Sequence, residues 1–334
     1  MPGRNPAGRS KIYGLQESMA RVAGPHATPA RRAPRRVRTL ALRLKRPCAA
    51  STLGTDLLQR CIPALHPCLP LRPMPRFSAN LSMLFCGHAF LERFAAAAQA
   101  GFSAVEVQFP YAFAAADIRQ RLADNGLHMV LHNLPAGDWG AGERGIACHP
   151  DRVQEFRRGV EQAITYAQVL GVPQLNCLAG IAPVGVPQAQ VHDTLVANLA
   201  YAASALKAHG LRLLLEPINT FDIPGFFVSR THQALAILDQ VGADNAFVQY
   251  DIYHAQRMEG ELAATLQRCL PRIGHIQLAD NPGRHEPGTG EINFPYLLGR
   301  LDAWGYAGCV GCEYHPLDGS LHGTEAGLGW MAAC

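Results

Sequence analysis

Four oxygen-bearing side chains, Glu216, Asp251, Gln277 and Glu313, each sit at or beside the end of a short apolar run. Carboxylates and an amide oxygen gathered in one place suit a hard or borderline divalent ion, Mg²⁺ or Mn²⁺; two or three His in the set would favour Zn²⁺. Three acidic groups facing one another repel unless a cation or a shared proton intervenes. That tension serves chemistry, because two carboxylates on opposite sides of a substrate can move a proton between adjacent carbons beside a polarised carbonyl. Glu216 and Glu313 are placed for that pair. A hydrogen-bonded network of carboxylates and amides without metal is the other reading. His254, three residues past Asp251, is a candidate for bonding a substrate oxygen or for supporting a ligand from behind. Glu106 and His132, carried by two earlier runs, join it as candidate substrate contacts.

These groups need a frame that turns strand ends toward a common point. From Met74 onward, short apolar runs alternate with amphipathic stretches eight times. The expected strands are Phe77–Leu81, Ala104–Phe109, His128–His132, Gln174–Leu178, Arg212–Glu216, Ala246–Asp251, Ile273–Leu278 and Gly308–Glu313. Helical patterns lie between them, from Ala89–Ala100 to Phe294–Ala303. Gly101, Gly126, Gly171, Gly210, Gly242 and Gly305 follow helical runs, as left-handed caps require. Alternating strand and helix implies parallel pairing. Eight units in 261 residues match a (β/α)₈ TIM barrel, whose chemistry sits at the C-terminal strand ends. A doubly wound open sheet is the alternative, but no GxGxxG follows the first strand.

Charge divides the chain sharply. Residues 1–73 hold 14 Lys and Arg against Glu17 and Asp56, whereas residues 74–334 hold 16 basic and 24 acidic side chains. The Arg-, Pro- and Ala-rich segment 1–73 therefore reads as a disordered basic extension, and 74–334 as one acidic catalytic barrel. An upstream misassigned start, an organelle transit peptide and a nucleic-acid arm are three origins for the extension. Met74-Pro-Arg-Phe-Ser reads as a natural start. No run approaches the ~20 apolar residues of a membrane span, so no membrane partner is expected. Ten scattered cysteines suit free thiols in a reducing compartment, the cytoplasm, with an organelle as the alternative in a eukaryote. Cys309-Val-Gly-Cys312 has no second CxxC pair to complete a zinc site.

The runs Leu215-Glu-Pro-Ile-Asn219, Gln249-Tyr-Asp-Ile-Tyr-His254, His275-Ile-Gln-Leu-Ala-Asp280, Arg284-His-Glu-Pro-Gly-Thr-Gly-Glu-Ile292, Gly311-Cys-Glu-Tyr314 and Gly327-Leu-Gly-Trp330 resemble the hydroxypyruvate isomerase family. That family belongs to the xylose isomerase-like barrels, and the likeness spans Met74 to about Trp330. It implies conversion of hydroxypyruvate to 2-hydroxy-3-oxopropanoate (tartronate semialdehyde), a step in glyoxylate and carbohydrate-acid metabolism. It also implies Glu216 and Glu313 as proton donor and acceptor, and Glu216, Asp251, Gln277 and Glu313 as metal ligands. Related ketose 3-epimerases usually carry His where this chain has Gln277, so the departure points to the isomerase and to weaker metal binding.

The implied partner is a small hydroxy-oxo acid, with a homo-oligomer as a further expectation. Arg284 is the candidate for the substrate carboxylate; an ion pair with Glu286 is the competing reading. Gly283, Gly288 and Gly290 suggest that the loop around it moves as a lid. A 2-oxo-tetronate isomerase would share every motif. An abasic-site nuclease of the same superfamily is disfavoured by the acidic body and the shortage of His, and no nucleic-acid partner is expected. A non-catalytic sugar-binding barrel needs no matched glutamates.

Overall fold

The computed structural model describes residues 76–332; the extension 1–73 and its expected disorder lie outside the described residues. Eight parallel strands close in sequence order: β1 (Arg76–Asn80), β2 (Ala104–Val107), β3 (His128–Asn133), β4 (Gln174–Cys177), β5 (Arg212–Leu215), β6 (Ala246–Asp251), β7 (Ile273–Leu278) and β8 (Cys309–Cys312). Strand β8 returns to pair with β1, Phe77 opposite Val310, which closes the barrel and removes the open-sheet alternative. All eight expected strands are present, with ends within two residues of expectation. Glu216 and Glu313 fall one residue past their strands, although Glu313 N–H still donates to Leu278 O (3.1 Å).

Helices α1 (Arg93–Gln99), α2 (Ala115–Asp124), α3 (Val153–Leu170), α4 (Gln188–Lys207), α5 (Thr231–Val241), α6 (Ile252–Met258), α7 (Leu262–Cys269), α8 (Phe294–Ala303) and α9 (Gly323–Gly327) surround the strands. Helix α3 shows why the pattern works: Phe156, Val160, Ala163, Ile164, Ala167 and Leu170 recur at three- and four-residue steps and are all buried. All six glycines expected as caps have positive φ, between 63° and 93°. Helix α6 was not expected. It starts directly off β6 because Asp251 Oδ1 accepts the Tyr253 N–H at 2.8 Å and caps it.

Apolar side chains between strands and helices form the main core. A smaller cluster of Ala104, Val130, Leu131, Leu214 and Cys309 is separate from it. Cys309 belongs to this cluster and Cys312 to the main core, so the CxxC residues face apart as free thiols. Among the described residues, no helix is long and apolar enough to cross a membrane.

Candidate active site

Three carboxylates from β5, β6 and β8 meet at the C-terminal mouth. Glu216 Oε2 accepts from Asn176 Nδ2 at 2.7 Å. Asp251 has one oxygen committed to the α6 cap; the other, Oδ2, is buried without a hydrogen-bond partner. Glu313 Oε1 accepts from Asn80 Nδ2 (2.9 Å) and Gln108 Nε2 (2.8 Å), and its Oε2 accepts from Arg284 Nη2 (2.8 Å). The same Arg284 nitrogen lies 3.5 Å from Asp251 Oδ2. His254 Nε2 stands 3.8 Å from Glu216 Oε1 and 3.6 Å from Asp251 Oδ2.

Burial dominates the electrostatics. It drives the Glu216 carboxyl well above the usual range, with the like charges of Glu313 and Asp251 adding to it. Burial also raises Asp251, against the pull of Arg284. Glu313 is pushed up to about 7 by burial, with Arg284 opposing and Asp251 and Glu106 reinforcing. His254 is held well below its ordinary value by burial and then by Arg284 and Arg257, so its ring is neutral. A carboxyl poised as Glu313 is can exchange protons near neutral pH.

Next to these carboxylates a polar belt centres on Glu106. Glu106 Oε1 accepts from Asn80 Nδ2 (3.1 Å) and Gln277 Nε2 (2.7 Å). Its Oε2 accepts from Ser78 Oγ (3.0 Å) and His275 Nε2 (2.8 Å). Burial alone would raise this carboxyl, but His275 and the amide donors outweigh it and hold it low. The belt also explains Gly311: a Cβ there would lie 2.4 Å from Glu106 Oε2.

A family model described as Xylose isomerase-like TIM barrel matches residues 94–334. The chain belongs to this family. It is 56% identical over 258 residues to hydroxypyruvate isomerase of Escherichia coli (strain K12), covering 77% of this chain and 98% of the relative. Over the same shares it is 50% identical to 2-oxo-tetronate isomerase of Cupriavidus necator. A crystal structure described as AP endonuclease, family 2, from Brucella melitensis superposes with TM-score 0.75 at 45% identity, covering 78% of this chain and 99% of that one. The curated relatives are named isomerases, and the chain is an enzyme of that class.

Within this family frame, Glu216, Asp251 and His254 bring ligand atoms within 4.8 Å of one another and could hold a metal ion. The structure brings Glu216, Asp251, Glu313, Arg284 and His254 together. Gln277, paired in register with Asp251, has its Oε1 accepting from Gln249 Nε2 (2.7 Å) and its Nε2 donating to Glu106. Glu106, a candidate substrate contact, has both oxygens doubly occupied by protein donors. His132 pairs through Nδ1 with Tyr111 OH and Asn133 O, both at 3.2 Å; its Nε2 is buried without a partner, and burial lowers the ring to about 4.

Arg284 pairs with Glu313 rather than Glu286, whose Oε2 instead accepts the Leu317 N–H. The loop carrying Arg284, where a lid was expected, is internally hydrogen-bonded in the structure. Asp280 laces it with four backbone hydrogen bonds, from Asn281, Gly288, Gly290 and Ile292. Gly290 is required there, since a Cβ would lie 2.2 Å from Asn281 O. Asn219, behind His254, went unnoticed in the sequence although it closes the Glu216-Pro-Ile-Asn219 run; no spacing rule singles out a residue whose partners are a turn and a distant ring.

Proposed function

We propose that the chain interconverts hydroxypyruvate and 2-hydroxy-3-oxopropanoate through a cis-enediolate, with Glu216 and Glu313 moving the proton. The observation that carries this reading is the pair of buried glutamates at the ends of β5 and β8, both raised above the usual carboxylate range, in one mouth. One glutamate in its ionised form takes a proton from C3, and the bonding electrons shift toward the C2 carbonyl oxygen. His254 Nε2 and the Arg284 guanidinium face the space where that oxygen gains charge. The other glutamate, protonated, returns a proton to C2, while the hydroxyl proton passes from the C3 oxygen to the C2 oxygen. Arg284 supplies the cation that an oxo acid's carboxylate needs, and its stacking over Tyr253, 5.3 Å to the ring centroid, orients it.

The donor set fits a divalent ion: Asp251 Oδ2, beside Glu216, is a buried acceptor that receives no hydrogen bond and has the Arg284 guanidinium 3.5 Å away. Glu216 and Asp251 would hold Mg²⁺ or Mn²⁺; Glu313 and Gln277, whose oxygens accept from Arg284 and Gln249, would join them only by giving up those bonds. Such an ion, when bound, would supply a Lewis acid for the substrate carbonyl. A small soluble acid requires neither nucleic acid nor membrane. The free thiols fit a reducing compartment such as the cytoplasm.

The 50% identity to a 2-oxo-tetronate isomerase supports a second reading, in which the acid is one carbon longer. Assay of the full chain on hydroxypyruvate and on 2-oxo-tetronates, with and without chelator, separates these. A higher kcat/KM on hydroxypyruvate is expected, and the reverse order selects the longer acid. Turnover of neither overturns both readings, and full turnover in chelator removes the metal while sparing the glutamates.

A further inference from the structure

Asn219 follows Glu216 by three residues in the loop leaving β5 and is fully buried. Its Oδ1 accepts the backbone N–H groups of Phe221 (3.1 Å) and Asp222 (2.8 Å), so the main chain fixes which way the amide faces. Its Nδ2 end is thereby turned to Asp222 Oδ2 at 2.9 Å and to His254 Nδ1 at 2.7 Å. An amide nitrogen only donates, so Nδ1 must offer a lone pair and the ring proton must sit on Nε2. A doubly protonated ring would set N–H against N–H across the same 2.7 Å contact.

The Nε2–H is directed toward Glu216 Oε1 and Asp251 Oδ2, 3.8 and 3.6 Å away. Both gaps exceed a direct hydrogen bond, and they leave the donor free for an oxygen placed between. A histidine that ligates a metal shows the opposite pattern: its other ring nitrogen donates to a carboxylate, carbonyl or water. We propose that Asn219 is a positioning residue that locks His254 as an Nε2–H donor, aimed at the substrate oxygen that gains charge, and so removes His254 from any set of metal ligands. The identity of that oxygen rests on the isomerase reading, whereas the tautomer rests on the hydrogen bonds alone.

Nitrogen-15 NMR of the histidine-labelled full chain, with His254→Gln assigning the ring, reads the tautomer directly. A protonated Nε2 with a lone pair at Nδ1 is expected, and an Nδ1–H ring in the wild type overturns the proposal. Asn219→Asp replaces the donor with an acceptor. It should reverse the tautomer and lower kcat on hydroxypyruvate about 100-fold, the usual cost of losing one oxyanion donor, with KM little changed. A folded Asn219→Asp protein that keeps the wild-type tautomer also overturns it; if that variant does not fold, the wild-type spectrum decides. Lack of turnover on either acid would defeat the isomerase reading and leave the spectrum as decisive as before.

Discussion

Glu106 and Glu216 are almost equally buried, 1% and 4% exposed, yet the barrel treats them in opposite ways. Glu106 receives four hydrogen bonds from Ser78, Asn80, His275 and Gln277, and its carboxyl is held low. Glu216 receives one, from Asn176, faces two like charges, and is driven high. Burial therefore does not distinguish a structural carboxylate from a chemical one; the supply of donors does. A saturated carboxylate has no oxygen left for a substrate proton, whereas an undersupplied one gains by taking it.

The largest expected effect lies on the undersupplied side. Glu216→Gln removes the titrating group and leaves an amide oxygen to accept from Asn176. Turnover of hydroxypyruvate should fall by about 10³- to 10⁴-fold, in the range of a lost general acid or base, with the cooperative unfolding transition intact. A variant keeping near-normal rate would remove the two-glutamate scheme and, with it, the functional half of the contrast.

The saturated side should fail in stability instead. Glu106→Ala leaves His275 and three other buried donors without their acceptor, so unfolding in urea should reveal a loss of about 3–5 kcal/mol. At the size of this barrel that corresponds to a melting temperature lower by roughly 10 °C. An unchanged midpoint would mean that the belt is replaceable and that its four bonds do not set it apart from the mouth.

The mouth was the more legible of the two in the sequence. Glu216, Asp251 and Glu313 end apolar runs, and a closed barrel brings strand ends together whatever the side chains beneath them do. Eight strands and six helix caps were readable for the same reason, since period-two and period-3.6 patterns are local. The belt was not. His275 and Glu106 meet across 169 residues, and only the closing of the barrel decides that they touch. Arg284 offered two partners in the sequence, Glu286 close by and a bound acid. Its partner in the structure, Glu313, is 29 residues on, reached from the loop that Asp280 laces together.

The smallest effect gives the sharpest comparison, because the two glutamates should bend the pH dependence of stability in opposite senses. The folded value of Glu216 lies above its ordinary 4.5, so above pH 4.5 the folded chain retains a proton that the unfolded chain has released. Stability then falls as pH rises, until the folded group ionises as well. Glu313 adds a component of the same sign that ends near pH 7. In chelator, Glu216→Gln should accordingly exceed the wild type by a margin that grows as pH rises from 4.5 to 8 and converge with it near pH 4.5. Glu106 has its folded value below 4.5, so its contribution is complete above that pH and is lost as pH falls through the lowered value. The deficit of Glu106→Gln should thus be greatest at neutral pH and shrink on acidification. Urea unfolding of all three proteins from pH 4 to 8 measures both slopes, and slopes of the same sign would mean that donor supply does not separate these two carboxylates.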